Sequence, residues 1–101
     1  MELIHLYPAE YRKWRNRLGP ETVGHIRRRL DLLARHGTHL GLPNVRRLSF
    51  DLWELRSPTG HRLYFTLHDE QAIFIRYGDK DTQPRDIDVA LARIRSNPHG
   101  H

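Results

Sequence analysis

Cysteine is absent from the 101-residue chain, which excludes disulfides, thiolate metal sites and a cysteine nucleophile. Lysine is nearly absent: Lys13 and Lys80 stand against 15 arginines. No apolar run approaches the roughly 18 residues needed to cross a bilayer, and the opening MELIHLYPAEYRKW lacks the pattern of a secretory signal. A soluble, cytoplasmic chain with no membrane partner is therefore the expectation. A Gly-rich phosphate loop, a nucleophile elbow and a dinucleotide fingerprint are all missing. There is no internal repeat, low-complexity stretch or linker, and two independent cores would not fit in this length, so residues 1–101 are expected to form one domain.

What is present is positive charge on a foldable chain. Seventeen Lys and Arg against 12 Asp and Glu give a formal charge of +5 and a pI near 10.2, while hydrophobic residues make up 38%. That apolar content supports a small core, unlike a disordered chain. The charge favours a polyanionic partner: nucleic acid, an acidic protein or a membrane surface.

Residues 1–37 read as a short strand over Glu2 to Leu6 and two helices. Pro8 suits a first helical turn, and Tyr11, Trp14 and Leu18 then share a face. Gly19-Pro20 interrupts, after which Val23, Ile26, Leu30 and Leu33 form an apolar stripe and Gly37 offers a C-cap. From Val45 to Tyr77 the period becomes two: 45–50, 52–56, 61–68 and 72–77 read as strands, with turn residues at Ser57-Pro58-Thr59-Gly60 and Asp69-Glu70. Connections this short make the strands antiparallel neighbours. Pro84 opens a last helix carrying Ile87, Leu91 and Ile94; Asn97-Pro98 stops it and 98–101 form a frayed tail. The expected layout is α+β, βααββββα, with a helical hairpin packed on a mainly antiparallel sheet, the helical layer on one sheet face.

Strand parity sorts the side chains. Trp53 and Leu55 oppose Glu54 and Arg56; Leu63, Phe65 and Leu67 oppose Arg62, Tyr64, Thr66 and His68. On the last strand Ile73, Ile75 and Tyr77 form one set, and Ala72, Phe74 and Arg76 the other. With the Leu/Phe/Trp face against the helices, the opposite face gathers Glu54, Arg56, Arg62, Tyr64 and Arg76. Three guanidinium groups this close repel unless an anion or an acidic side chain sits among them, and their planar forks suit phosphate. Tyr64 adds a ring for base stacking or a phenolic proton. An ordinary solvated face of a one-sided sheet is the alternative reading.

The segment from Leu48 to Arg95 resembles the RelE/ParE superfamily of type II toxin–antitoxin toxins, most closely its HigB-like and phage-derived Gp49-like branch. Leu52-Trp53-Glu54-Leu55-Arg56 is similar to that branch's "glyELR" strand, and Gly60-His61-Arg62-Leu63-Tyr64-Phe65 to its "yRifYf" strand. Tyr77-Gly78-Asp79-Lys80 leading to Pro84, and Ile87, Ala90 and Arg93 of the final helix, follow in the family's order. Together these pieces cover about half the chain. The resemblance implies a toxin that cleaves mRNA on the ribosome without metal or other cofactor, by attack of the ribose 2′-OH on the adjacent phosphate. It also implies neutralisation by a cognate antitoxin, a helix-turn-helix protein encoded adjacently. By position it assigns Arg62, Arg56 and Lys80 to phosphate binding and transition-state stabilisation.

Glu54, Tyr64 and His68 complete the expected catalytic set, and Arg46, Arg47, Arg76 and Tyr77 are expected RNA contacts. The family's loop often carries adjacent lysines, whereas here Asp79 stands beside the single Lys80. Residues 85–96 contain neither Tyr nor His. The acid and base therefore stay open among Glu54, His61, His68, Tyr64, Tyr77 and Asp79. A superfamily relative that inhibits DNA gyrase without cleaving anything is the runner-up, and a catalytically decayed basic nucleic-acid-binding module the third reading. His36 and His39 lack a carboxylate at ligand spacing, so no metal site is expected. The run His25-Ile26-Arg27-Arg28-Arg29 reads as a nucleic-acid patch, an antitoxin dock or a solvated helix face. Trp14 and Trp53 read as core.

Overall fold

The computed structural model describes residues 1–41 and 43–96. The expected helix stop at Asn97-Pro98 and the tail 98–101 lie outside the described residues. Chain order is β1 (Glu2–His5), α1 (Pro8–Asn16), α2 (Pro20–His36), a 3-10 turn (Gly37–Leu40), β2 (Val45–Arg47), β3 (Trp53–Arg56), β4 (His61–His68), β5 (Gln71–Asp79) and α3 (Gln83–Ser96). Pro8 and Pro20 each sit in the first helical turn, where a missing N–H costs nothing. Gly37 takes φ +59° and returns its N–H to the Leu33 carbonyl, closing α2 with a conformation a side chain would resist.

The sheet order is β1-β5-β4-β3-β2. β2 to β5 form the antiparallel meander, and β1 joins the edge of β5 in parallel, with Glu2 opposite Gln71 and His5 opposite Phe74. The first strand of the meander ends at Arg47 rather than residue 50, because Leu48 and Ser49 turn back to donate to the Leu52 carbonyl.

Helices cover both faces of the sheet, not one. Ile26 and Leu33 of α2 pack with Val45, Leu55, Leu63, Phe65, Ala72, Phe74 and Tyr77, and Tyr11, Trp14 and Leu18 extend that layer. On the other face Ala90, Ile87, Leu91 and Ile94 of α3 cover Tyr64, Ile73 and Ile75. The stripe Ile87, Leu91, Ile94 needs an apolar surface, and Ile73 and Ile75 supply it on the side opposite the hairpin.

Parity also fails at one point on β5. Phe65 pairs with Phe74 but Tyr64 pairs with Arg76, so Ile75 is an extra, bulged residue. Beyond the bulge the faces exchange: Tyr77 joins Ala72 and Phe74 under the hairpin, and Arg76 lies on the α3 side with Ile73 and Ile75. The Ile75 carbonyl accepts Nη1 of Arg93 at 2.6 Å, so α3 satisfies a group left by the bulge.

Candidate functional site

The register lays the polar residues of the α3 face in two rows. Arg46, Glu54, Tyr64 and Arg76 align across β2 to β5, and Arg56, Arg62 and Gly78 align in the next row. Arg56 and Arg62 are thus directly opposed like charges, an arrangement that destabilises a sheet unless something lies between them. Glu54 does: its Oε1 is 3.5 Å from Arg56 Nε and 3.6 Å from Arg62 Nη1, and its Oε2 accepts from Gln83 Nε2 at 2.5 Å. Glu54 is fully buried and Arg62 is 9% exposed. The acid that the charge pattern demands is therefore built into the fold.

The turn after β3 brings the remaining parts together. The Ser57 N–H donates to the His61 carbonyl at 3.0 Å, and Gly60, at φ +87°, lets the chain reverse in four residues. The Lys80 N–H donates to the Gly60 carbonyl at 2.8 Å, and the lysine's methylene stem lies over this glycine. The loop after β5 is so pinned to the β3–β4 turn. Between them lies a groove of about 420 Å³ whose walls include Arg56, Arg62 and Lys80, and also Arg29 of α2. Among the described residues no carboxylate lines it. Arg62 Nε, Glu54 Oε1 and the Tyr64 hydroxyl are buried without a hydrogen-bond partner among the described residues.

Three of the expected catalytic residues, Arg56, Arg62 and Lys80, therefore meet in one groove, with Glu54 behind two of them. The other expected residues lie elsewhere. Tyr64 is fully buried beneath α3, so its ring is closed to a nucleobase; burial, then Glu54 and Asp86, push its hydroxyl up and keep it protonated. His68 closes the far end of β4, opposite Gln71 and 3.6 Å from Asp69 Oδ2, about 20 Å of strand from Arg62. Arg76 is taken by Asp86, Nε to Oδ1 at 2.8 Å, with Glu10 3.6 Å from its Nη1. Tyr77 is buried under the hairpin, 5.3 Å from Trp14 between ring centres, and burial first of all raises its hydroxyl; it is no RNA-stacking surface. Arg46 and Arg47 are exposed on the edge strand β2, where Arg47 spans Phe50 and Trp53 and donates to the Ser49 and Phe50 carbonyls. His36 and His39 are exposed, and among the described residues no group of His, Asp and Glu is placed to hold a metal ion.

Of the residues offered as proton carriers, Asp79 is occupied in its own loop, Oδ1 accepting from the N–H groups of Asp81 at 2.9 Å and Thr82 at 3.1 Å. His61 belongs to the groove's turn. Its Nδ1 lies 2.8 Å from Thr59 Oγ1, which is 2.7 Å from Ser57 Oγ, so a chain of hydroxyls runs from the imidazole into the groove wall.

A family model of phage-derived Gp49-like proteins (DUF891) matches residues 13–95. The chain belongs to the Gp49-like family. That family is RelE/toxin-like, which agrees with the βααββββα order and the hairpin-plus-meander architecture of this Gp49-like chain. The matched span contains every residue of the groove, whereas His5 and Glu10 precede it. No curated protein matches the chain. No helix among the described residues is long and apolar enough to cross a membrane.

Sequence reasoning misses Gln83 and Asp86 as parts of the site and offers Arg29 only within the run from His25 to Arg29. Arg29 was one of three consecutive arginines with nothing in the pattern to single it out. Asp86 approaches Gly78 so tightly that any Cβ there would overlap Oδ2, and the glycine itself is the only sequence signal of it.

Proposed function

We propose that this Gp49-like protein is the toxin of a type II toxin–antitoxin pair, of the HigB-like kind, and a metal-independent endoribonuclease acting on mRNA at the ribosome. The observation that carries this reading is the convergence of Arg56, Arg62 and Lys80 on one acid-free groove. Cleavage by an internal nucleophile asks little covalent chemistry of a protein. The 2′-oxygen forms a bond to the adjacent phosphorus, the bond from phosphorus to the 5′-oxygen breaks, and a 2′,3′-cyclic phosphate and a 5′-hydroxyl result. The pentacoordinate intermediate gains negative charge, and fixed cations aimed at it lower the barrier most.

Arg62 and Arg56, oriented by Glu54, supply that charge from rigid strands, and Lys80 supplies it from the rim. Glu54 itself is a positioning residue: it is buried and held by two guanidinium groups and Gln83. The remaining need is a proton acceptor for the 2′-OH and a donor for the departing 5′-oxygen. His61, linked through Thr59 to the groove wall, is the side chain we assign to it, since its ring has two nitrogens that can each hold or accept a proton and one of them already joins the hydroxyl chain. The antitoxin in this reading is a protein that covers the groove with acidic side chains.

Purified protein added to a translating cell-free extract tests the reading. New 5′-hydroxyl ends in the mRNA, lost in Arg62→Ala, are expected. Intact mRNA together with blocked DNA supercoiling by gyrase would replace the nuclease reading with the non-catalytic one.

A further inference from the structure

We infer that Arg29 makes the groove a site for two consecutive phosphates of single-stranded RNA, the α2 guanidinium taking the phosphate next to the one held by Arg56, Arg62 and Lys80. This rests on the nuclease reading above and adds to it a residue and a minimum substrate.

The three successive arginines of α2 are not equivalent. Arg27 lines a depression on the other side of the helix, with Arg15 and Leu18, and Arg28 turns to His25, Nη2 to Nδ1 at 3.0 Å. Only Arg29 reaches the groove. It is also held by a residue outside its own helix: Nη1 donates to Asn44 Oδ1, and the Asn44 carbonyl accepts the Arg56 N–H at 2.8 Å. Asn44 so ties the α2 guanidinium to the end of the strand that carries Arg56.

Charge balance separates Arg29 from the other guanidinium groups of the region. Arg56 and Arg62 share Glu54, Arg76 has Asp86 and Glu10, and Arg93 has Glu10. Arg29 is partly buried and its partner is a neutral amide; among the described residues no carboxylate lies within ion-pair distance of it or of Lys80. A pre-positioned, uncompensated guanidinium facing three further cations fits an anion with more than one charged group. The groove's 420 Å³ is in the range of sites that enclose a small ligand, about 300–1,000 Å³, and exceeds the space of a single phosphate. A chain of phosphodiesters meets both conditions.

The test is fluorescence-anisotropy binding of a short RNA whose 2′-hydroxyls are methylated to prevent cleavage, with each backbone phosphate in turn replaced by an uncharged methylphosphonate. Wild type, Arg29→Gln and Arg27→Gln are compared as the full chain. Two adjacent methylphosphonate positions are expected to weaken binding to wild type about tenfold each. Arg29→Gln is expected to weaken binding of the all-phosphate strand by the same factor, to lose sensitivity at one of the two positions, and to flatten the slope of log K against log salt by about 0.7. Arg27→Gln is expected to match wild type. Sensitivity at a single phosphate in wild type, a series that needs no substitution in the protein, overturns the inference, as does Arg29→Gln binding like wild type. Wild type that cleaves mRNA under those results leaves the nuclease reading standing. Wild type that neither binds nor cleaves overturns both.

Discussion

Arg56 and Arg62 face each other across β3 and β4 with the buried Glu54 carboxylate 3.5 and 3.6 Å from their nitrogens. Two cations that a sheet would otherwise push apart are thereby held parallel at the mouth of a groove. The carboxylate lies behind them, so their outward sides keep the capacity to bind an anion.

Glu54→Gln keeps the shape and removes the charge. Taking one partner from a buried charge cluster costs about 3 kcal/mol, so urea unfolding should show a loss near that size. Sulfate should restore part of it, raising the thermal midpoint of Glu54→Gln more than that of wild type, because the groove then holds unbalanced cations. Equal sulfate responses in the two proteins would mean that Glu54 does not balance the groove arginines.

Gly78 is placed where the row Arg56–Arg62 continues onto β5, and Asp86 fills the space a side chain would occupy, bonded to Arg76 and to Thr82 Oγ1 at 2.5 Å. Gly78→Ala should destabilise the fold by about 3 kcal/mol, the upper range for overpacking, because a buried ion pair must shift to admit the methyl. A change below about 0.5 kcal/mol in denaturant unfolding would show that the Asp86 carboxylate moves freely.

Arg93 links the two ends of the chain. Its Nη1 and Nη2 donate to Glu10 at 3.0 and 2.8 Å, Nη1 also bonds the bulged Ile75 carbonyl, and the guanidinium stacks 4.1 Å from the Tyr7 ring centre. The Glu10 hydrogen bond is the main reason its charged form is favoured further. Arg93→Ala should cost about 2 kcal/mol and Glu10→Ala about 1, since only the first also strands the carbonyl. Arg93→Lys should fail to recover the difference, because one ammonium cannot reproduce the fork. Equal costs for the two alanine variants would contradict the role given to the bulge.

His5 makes stability depend on pH. It stacks on Tyr11 at 3.9 Å, and its Nδ1 is in hydrogen-bond contact with the Tyr77 hydroxyl at 2.5 Å. Burial, and then the charge of Arg15, hold its imidazole below the ordinary value near 6.5. Above that value His5 is neutral in both folded and unfolded chains and contributes no pH dependence. As pH falls below it, the unfolded chain takes up a proton that the folded chain resists, and stability drops. Urea midpoints measured from pH 7.5 to 5.5 should fall more steeply for wild type than for His5→Gln; parallel curves would remove His5 from the account.

Much of the architecture is legible in the sequence because its signals are local. Pro8 and Pro20 start helices, Ser57-Pro58-Thr59-Gly60 makes a turn, and the change from a period near four to a period of two divides the hairpin from the meander. Long-range geometry is less visible. Nothing in Ile73 to Tyr77 announces the bulge that exchanges the faces of Arg76 and Tyr77, and an amphipathic α3 does not state which face of the sheet it will cover. The same holds for the site. Arg56 and Arg62 follow from strand parity, and Lys80 from the family resemblance. Arg29 comes from a helix some 30 residues away and depends on how α2 crosses the end of β3.

We propose that these cations promote RNA cleavage at a phosphate, and a single-turnover rate reads that step without product release. A 5′-labelled mRNA on ribosomes, with saturating protein, should be cut by wild type to 2′,3′-cyclic phosphate ends. Arg62→Ala, assayed at a temperature where circular dichroism shows both proteins folded, should cut at least about 100-fold more slowly, the usual loss when one preorganised charge is removed from a transition state. An Arg62→Ala rate equal to wild type would show that the groove cations do not promote the cut.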